Sequence, residues 1–383
     1  MRLLVVCGGS YVSGMEIAAL SVMEGLQERG HDVHCVANAW NDGDFPHRLR
    51  TAGIPYDELS LGKISASLTP KHVWWSVNGL VHLPYARYRY RNVVDHFDPD
   101  LILFYGFDTA AQLYPINQSI PTAFHVQELP EGSWKLSFVL ETHPSALYIA
   151  ISEFIADRLR ALGVSRQQIE VVHNGIDVES LARNGDMNHA EPQQEAEGND
   201  GFHVGIVGQV GDWKGHEDLV EALAFLKRQE PALDVTLHVA GTGKEGFTQE
   251  LKKRADRLGV AEQVRWHGFV DDIGDIYALL DVVVVPSRHE EPFGLVAAEA
   301  GLWQCPVVAT RRGGLPEVVA HEETGFLVDS RSPDQIAARL RQLADNPELR
   351  DRMGKEGEKR VEARFSVQDM VEGVHDAIIG YSQ

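Results

Sequence analysis

A chain of 383 residues exceeds what one hydrophobic core organises, so two domains of ordinary size are expected. Hydrophobic residues at 44% and charged residues at 24% fit neither a disordered nor a membrane-embedded chain. A formal net charge of -21 at pH 7 argues against general nucleic-acid binding.

The chain opens with an apolar strand at 3–6, a glycine-bearing turn from Gly8 to Gly14, a helical pattern over 16–29 and a strand at 33–37, which together read as a βαβ unit. The opening run ends at Cys7, far short of a signal-peptide core, and no later stretch reaches the ~20 apolar residues of a spanning helix. A cytoplasmic location follows as the expectation. Cys7, Cys35 and Cys305 each sit in or beside an apolar run and read as buried free thiols of a reducing compartment.

Trp74, Trp75 and the Tyr85-to-Arg91 run have two readings. The favoured one is a helix packed by its aromatics with the arginines exposed; the other is a basic amphipathic surface making peripheral membrane contact through residues 70–92. Strand signals at 101–104, 122–126, 147–150 and 170–172 alternate with helical segments, the pattern of a parallel sheet covered on both faces. The polar segment 184–201 reads as a mobile surface insertion. The strand series restarts near His203, at 204–207, 234–239, 264–267, 282–285 and 306–309, and residues 333–379 read as helices. The expected division is residues 1–175, rejoined by a terminal helix at 366–383, and residues 176–365. Ligands of doubly wound sheets bind outside the carboxyl ends of the strands, so the site is expected in a cleft between the two domains.

The segment 286–296, P-S-R-H-E-E-P-F-G-L-V, follows a strand and is expected to open a helix running to about Gly301, with Pro292 at the first helical position. The amides of Phe293, Gly294 and Leu295 would then be free at the positive helix end, where a diphosphate fits. Glu291 and Glu299 would lie about 12 Å apart along the axis at ~1.5 Å per residue, the length scale of a nucleotide sugar. Spacing alone equally fits a helix-capping carboxylate and an ordinary amphipathic-helix glutamate.

E-P-F-G-L-V-A-A-E from Glu291 to Glu299 resembles the E-x7-E signature of glycosyltransferase family 4. The resemblance extends, in the family's order, through S-G-M-E from Ser13, I-S-E-F-I from Ile151, V-V-H-N-G-I-D from Val171, V-G-Q-V-G-D-W-K-G-H from Val207, G-G-L-P-E-V-V from Gly313 and T-G-F-L-V from Thr324. It covers nearly the whole chain except residues 40–99 and the insertion.

The resemblance implies an α/β chain of the GT-B kind, with two Rossmann-like doubly wound parallel-sheet domains facing across a cleft. It also implies a metal-independent, retaining transfer of sugar from a UDP- or GDP-linked donor to a glycan, lipid-linked or small-molecule acceptor, with no cofactor beyond the nucleotide sugar. Residue by residue, it implies that Glu291 binds the transferred sugar, Glu299 the ribose and Lys214 the diphosphate. Backbone near Phe269 and Val270 would meet the base, the turn ending at Gly14 would approach the donor phosphates and the acceptor, and His125 would be the functional histidine. For His125 an ordinary hydrogen-bonded histidine is the alternative.

The family commonly carries Arg five residues before the lysine, whereas this chain has Gln209, which donates hydrogen bonds but no charge unless Arg311 or Arg312 substitutes. In the implied mechanism Glu291 positions the sugar, the departing phosphate oxygen takes the acceptor proton, and closure about a hinge near Asn174 excludes water. The rival reading from another class is a catalytically silent nucleotide-sugar-binding scaffold, which Gln209 supports. Ala240 to Lys244 lacks the upstream glycine of a P-loop, and Asp271-Asp272 without further ligands reads as loop solvation, so no metal is expected.

Overall fold

The computed structural model describes residues 1–9, 12–39, 43–61, 70–115, 119–130, 134–177 and 201–382. The polar segment read as an insertion therefore lies, but for its last residue, outside the described residues, as do the side chains of Trp74 and Trp75. The chain divides into two compact units, Met1–Gly175 with Val367–Gln383, and Ile176–Ser366.

The first unit is built on a seven-stranded sheet in the order β3-β2-β1-β4-β5-β6-β7, with every neighbouring pair parallel. Its strands are β1 (Arg2–Cys7), β2 (Asp32–Asn38), β3 (Tyr56–Leu59), β4 (Leu101–Tyr105), β5 (Thr122–Val126), β6 (Leu147–Ala150) and β7 (Ile169–Val171). Central strands such as β4, L-I-L-F-Y, are buried along their whole length, as a sheet covered on both faces requires. The edge strand β3, Y-D-E-L, escapes sequence reading because two of its four residues are charged; Glu58 is exposed, and Asp57 meets Arg89 at 2.9 Å and His34 at 3.1 Å. Chain order reverses between β1 and β4, which places the Gly8–Gly9 loop at the switch point where doubly wound sheets form crevices.

The second unit repeats the plan with six strands in the order β10-β9-β8-β11-β12-β13. They are β8 (Phe202–Val207), β9 (Val235–Ala240), β10 (Val264–Gly268), β11 (Val282–Val285), β12 (Val307–Thr310) and β13 (Gly325–Val328). The switch point falls between β8 and β11, and from their carboxyl ends run the segments 208–216 and 286–291. β13 is only four residues long; a Cβ at Gly325 would stand 2.0 Å from Val307 O, so glycine permits its first residue to pair there. Among the described residues no helix is long and apolar enough to cross a membrane.

The last helix, Val367–Ser382, belongs to the first unit, burying Met370, Val374 and Ile378 in that unit's core beside the helix Gly14–Glu28. The crossing is close at Gly25, where a Cβ would lie 2.4 Å from Val371 Cγ1. Helix propensity alone favours Gly25→Leu by about 1 kcal/mol. Overpacking at this crossing costs about 1–3 kcal/mol, so the substitution is expected to lower the melting midpoint followed by circular dichroism. Adding Val371→Ala should restore part of the loss; a midpoint that rises in the single variant contradicts the packing account.

Candidate functional site

At the carboxyl ends of β8 and β11 two segments are locked together by backbone. Gly215 has φ +73°, and a Cβ there would stand 1.9 Å from Pro286 O, so only glycine lets the turn after Lys214 rest on Pro286. Trp213 O accepts from Arg288 N at 2.8 Å and His289 N at 3.3 Å. The Arg288 guanidinium, nearly buried, donates to both Asp218 oxygens at 2.8 and 2.7 Å and to Glu217 at 2.9 Å, and it pairs with Asp212 as well.

Held in this way, Lys214 Nζ meets Glu291 Oε1 at 2.6 Å, and Ser287 Oγ donates to the same oxygen at 2.5 Å. Ser287 is itself buried, and Thr310 Oγ1 donates to its carbonyl at 2.9 Å. The Glu291 carbonyl accepts from Gly314 N at 2.8 Å. A Cβ at Gly313 (φ +59°) would come within 2.0 Å of that oxygen, so the Gly313–Gly314 turn fits only as glycine. The structure therefore joins Lys214 and Glu291, 77 residues apart, into one half-buried cation–carboxylate pair.

The helix expected from Pro292 starts later, at Leu295, and spans Leu295–Leu302. Gly294 is its N-cap with φ +115°, a left-handed residue that ends the preceding loop, so the Glu291-to-Glu299 segment is not one helical run. Ala297 N makes the first intrahelical bond, to Gly294 O at 3.0 Å, which leaves the first-turn amides of Leu295 and Val296 ahead of it. Phe293 is 2% exposed and packs edge-on against Phe365 at 5.3 Å, anchoring the loop in the core. Glu299 accepts from Tyr277 OH at 2.8 Å, and burial raises its carboxyl above the usual range.

Gln209 is exposed, as are Arg311 and Arg312; Arg311 Nη2 donates to Leu327 O at 3.3 Å. Val270 is half-buried beside Phe269, which is 76% exposed. Asp272 accepts from Gly274 N at 2.9 Å, a loop cap, and among the described residues no three His, Cys, Asp or Glu side chains group as a metal would need. Ser287, Arg288 and Tyr277 are the residues that sequence reasoning missed: the partners of Arg288 and Tyr277 are remote in sequence, and Ser287 meets Glu291, four residues on, only through the shape of an irregular loop.

In the first unit Gly14 is the first residue of the helix Gly14–Glu28, capped by Ser13, with Glu16 reaching back to Ser13 N at 3.0 Å. Glu16 is 2% exposed and its carboxyl is raised by burial. Cβ atoms at Gly8 and Gly9 would come within 1.9 Å of Thr109 Oγ1 and 1.7 Å of Glu16 Oε1, so glycine lets the loop approach both side chains without displacing them. His125 is 1% exposed. Gln127 Nε2 donates to its Nε2 at 3.2 Å, which places its proton on Nδ1, 2.9 Å from Tyr105 OH. Gln127 and Asn174 exchange two amide bonds of 2.8 Å. Burial lowers His125 to about 3, so at neutral pH it is an uncharged hydrogen-bonding group and not a proton donor of ordinary acidity.

Two family models match the chain in succession, Glycosyltransferase Family 4 over residues 12–180 and Glycosyl transferases group 1 over residues 188–360. The D-inositol 3-phosphate glycosyltransferase of Corynebacterium glutamicum (strain R) is 33% identical over 227 residues, 57% of this chain and 53% of that one. The protein of the same name from Corynebacterium diphtheriae is 28% identical over 375 residues, 91% of this chain and 85% of that one. The chain spans about half the length of the first curated relatives it matches. The crystal structure of Anabaena Alr3699/HepE in complex with UDP and glucose superposes with a TM-score of 0.79 at 22% identity, covering 99% of both chains. At that identity the likeness speaks for the fold, a two-domain α/β chain of the GT-B kind.

Two outcomes follow from the geometry. Arg288→Met strands the Asp218 carboxylate, itself 4% exposed, and should lower stability by about 3–5 kcal/mol, with faster hydrogen exchange across residues 211–216; undisturbed exchange there would show that Arg288 does not hold the loop. Burial also lowers His216 and His238 to about 4. The unfolded chain protonates its histidines near pH ~6.5, while the folded chain resists until about 3 for His125 and about 4 for the other two. Stability is therefore complete above pH ~6.5 and falls as pH drops toward ~4, by up to ~1.4 kcal/mol per pH unit for each group. Melting curves across that range should show the fall, and His125→Gln should make it shallower.

Proposed function

We propose, for a chain that belongs to glycosyltransferase family 4, that it moves a sugar from a nucleotide diphosphate sugar to a hydroxyl of an acceptor, with retention of configuration and without a metal. The observation that carries this reading is the Lys214–Glu291–Ser287 cluster at the carboxyl ends of β8 and β11, beside the start of the helix Leu295–Leu302. Lys214 and the amides of Leu295 and Val296 supply positive charge and donors for a diphosphate. Glu291 accepts hydroxyls of the transferred sugar. Glu299, oriented by Tyr277, accepts those of the ribose, and backbone at Val270 meets the base.

In the reaction the bond from the anomeric carbon to the diphosphate oxygen breaks as the acceptor oxygen bonds to the same face of the sugar. The acceptor proton passes to the departing phosphate oxygen, and the diphosphate leaves with the bonding electron pair. Glu291 positions and does not attack. Gln209 hydrogen-bonds without charge, so Arg312, exposed beside the Gly313–Gly314 turn, is assigned the second cation on the leaving group. The loop of Gly8 to Gly14 and the neutral imidazole of His125 serve the acceptor side. A UDP sugar is the donor to test first, since a protein of similar fold is solved with UDP and glucose. A hydroxyl-rich small molecule is the first acceptor, since the matched relatives are named for inositol 3-phosphate. Three free, buried cysteines accord with work in a reducing cytoplasm.

UDP and its sugar conjugates, added with EDTA present, should raise the melting midpoint by binding the folded state. Lys214→Met should lower kcat by ~100- to 1000-fold, the scale of losing one donor to a developing oxyanion. Glu291→Gln should keep UDP binding but lose the extra shift given by the sugar. A Lys214→Met enzyme of unchanged kcat sinks the assignment, and ligand binding without turnover on any acceptor would favour the silent scaffold.

A further inference from the structure

Eleven large hydrophobic side chains of the described residues stand exposed, and five of them, Val77, Leu80, Val81, Tyr85 and Tyr88, lie on the helix Pro70–Phe97, each 54–68% exposed. Their spacing, i, i+3, i+4, i+8 and i+11, puts them on one face. Gly79, Ala86, Tyr90, Val93 and Val94 take the opposite face and are buried. Among the described residues the helix is thus apolar on both sides, and one of those sides meets a core. The aromatics expected to pack divide accordingly, with Tyr90 inside and Tyr85 and Tyr88 in water.

Arginines border the exposed stripe. At ~100° per residue Arg87 and Arg91 fall on one flank and Arg89 on the other. Arg87 Nε donates to Gln112 O at 2.7 Å and Arg89 pairs with Asp57 at 2.9 Å, while Arg91 stands exposed. In a chain of net charge -21 this edging is opposite to the overall sign.

We propose that this face docks on an anionic lipid bilayer, lying in the interface with its tyrosines and arginines at headgroup level. Apolar residues flanked by arginine, with tyrosine among them, are the composition of an interfacial helix. The stripe is a convex ridge about 17 Å long presenting on the order of 500 Å². That falls short of the ~800 Å² per partner of a standard protein interface. A bilayer needs no shaped partner surface, and its anionic headgroups complement the arginines. The inference does not depend on the reaction proposed above.

The test is co-sedimentation of the purified chain with phosphatidylcholine vesicles, with and without phosphatidylglycerol. The chain should partition to the anionic vesicles and be released at ~1 M salt, where the screening length falls to ~3 Å. Val77→Ser, Val81→Ser and Tyr88→Ser together should lower partition at least ~10-fold, and Arg91→Gln about 5-fold. Melting curves report whether the triple variant is folded; should it not be, Arg91→Gln carries the test alone. Failure to bind anionic vesicles, equal binding to pure phosphatidylcholine, or partition unmoved in folded variants overturns the proposal. So does light scattering that shows a dimer of this chain dissolved by the triple substitution.

Discussion

A single guanidinium fixes the crevice of the second unit. Arg288 stands at the end of β11 and faces Asp212, Glu217 and Asp218, which follow β8, so one cation gathers three carboxylates from the opposite segment. Such a cluster is a poor source of net stability, because desolvating the ions offsets most of their attraction. What it supplies is register. Only with residues 212–218 drawn against 286–291 does Lys214 come to 2.6 Å from Glu291, and the close backbone approaches at Gly215 and Gly313 tolerate no side chain that would loosen them.

The Lys214–Glu291 pair gives this register a chemical use. At an effective dielectric of ~20, unit charges ~4 Å apart attract by about 4 kcal/mol, so neither side chain is idle before a ligand arrives. In the proposed function a diphosphate competes for Lys214 with a larger negative charge. In drawing the ammonium away it leaves Glu291 in need of donors, which the hydroxyls of a sugar supply. On the proposed reading the two halves of a nucleotide sugar are therefore recognised together. Free diphosphate would gain the lysine but leave the carboxylate with Ser287 alone.

Much of this was legible in the sequence, for physical reasons that also mark where reading stops. Doubly buried strands are continuous apolar runs, so β1, β4, β8 and β11 declare themselves, whereas β3 hides because its Asp57 is answered by Arg89 from a distant helix. Glu291, Glu299 and Lys214 stood out through a local motif. Proline before a helical pattern suggested a start at Pro292, but Gly294 in the left-handed region moves it to Leu295, and periodicity carries no information on φ. Arg288 and Tyr277 acquire their roles only from partners brought in by the fold, and Ser287 from a loop shape that no periodicity encodes. The division of the tyrosines on the helix Pro70–Phe97 likewise depends on which face the rest of the unit covers.

The two sheets also share a device that no motif announces. Beyond the switch point of each lies a carboxyl raised by burial and met by one hydroxyl, Glu16 by Ser13 and Glu299 by Tyr277. Glu299 stays half-buried, whereas among the described residues one oxygen of Glu16, Oε1, is buried with no partner. An unmet buried acceptor costs free energy, and satisfying it is worth about 1–3 kcal/mol. A ligand rich in hydroxyls is the kind of molecule that does so. On the proposed reading the acceptor left unsatisfied at Glu16 favours binding, and the glycines at positions 8 and 9 keep the space through which a hydrogen-bond donor can approach.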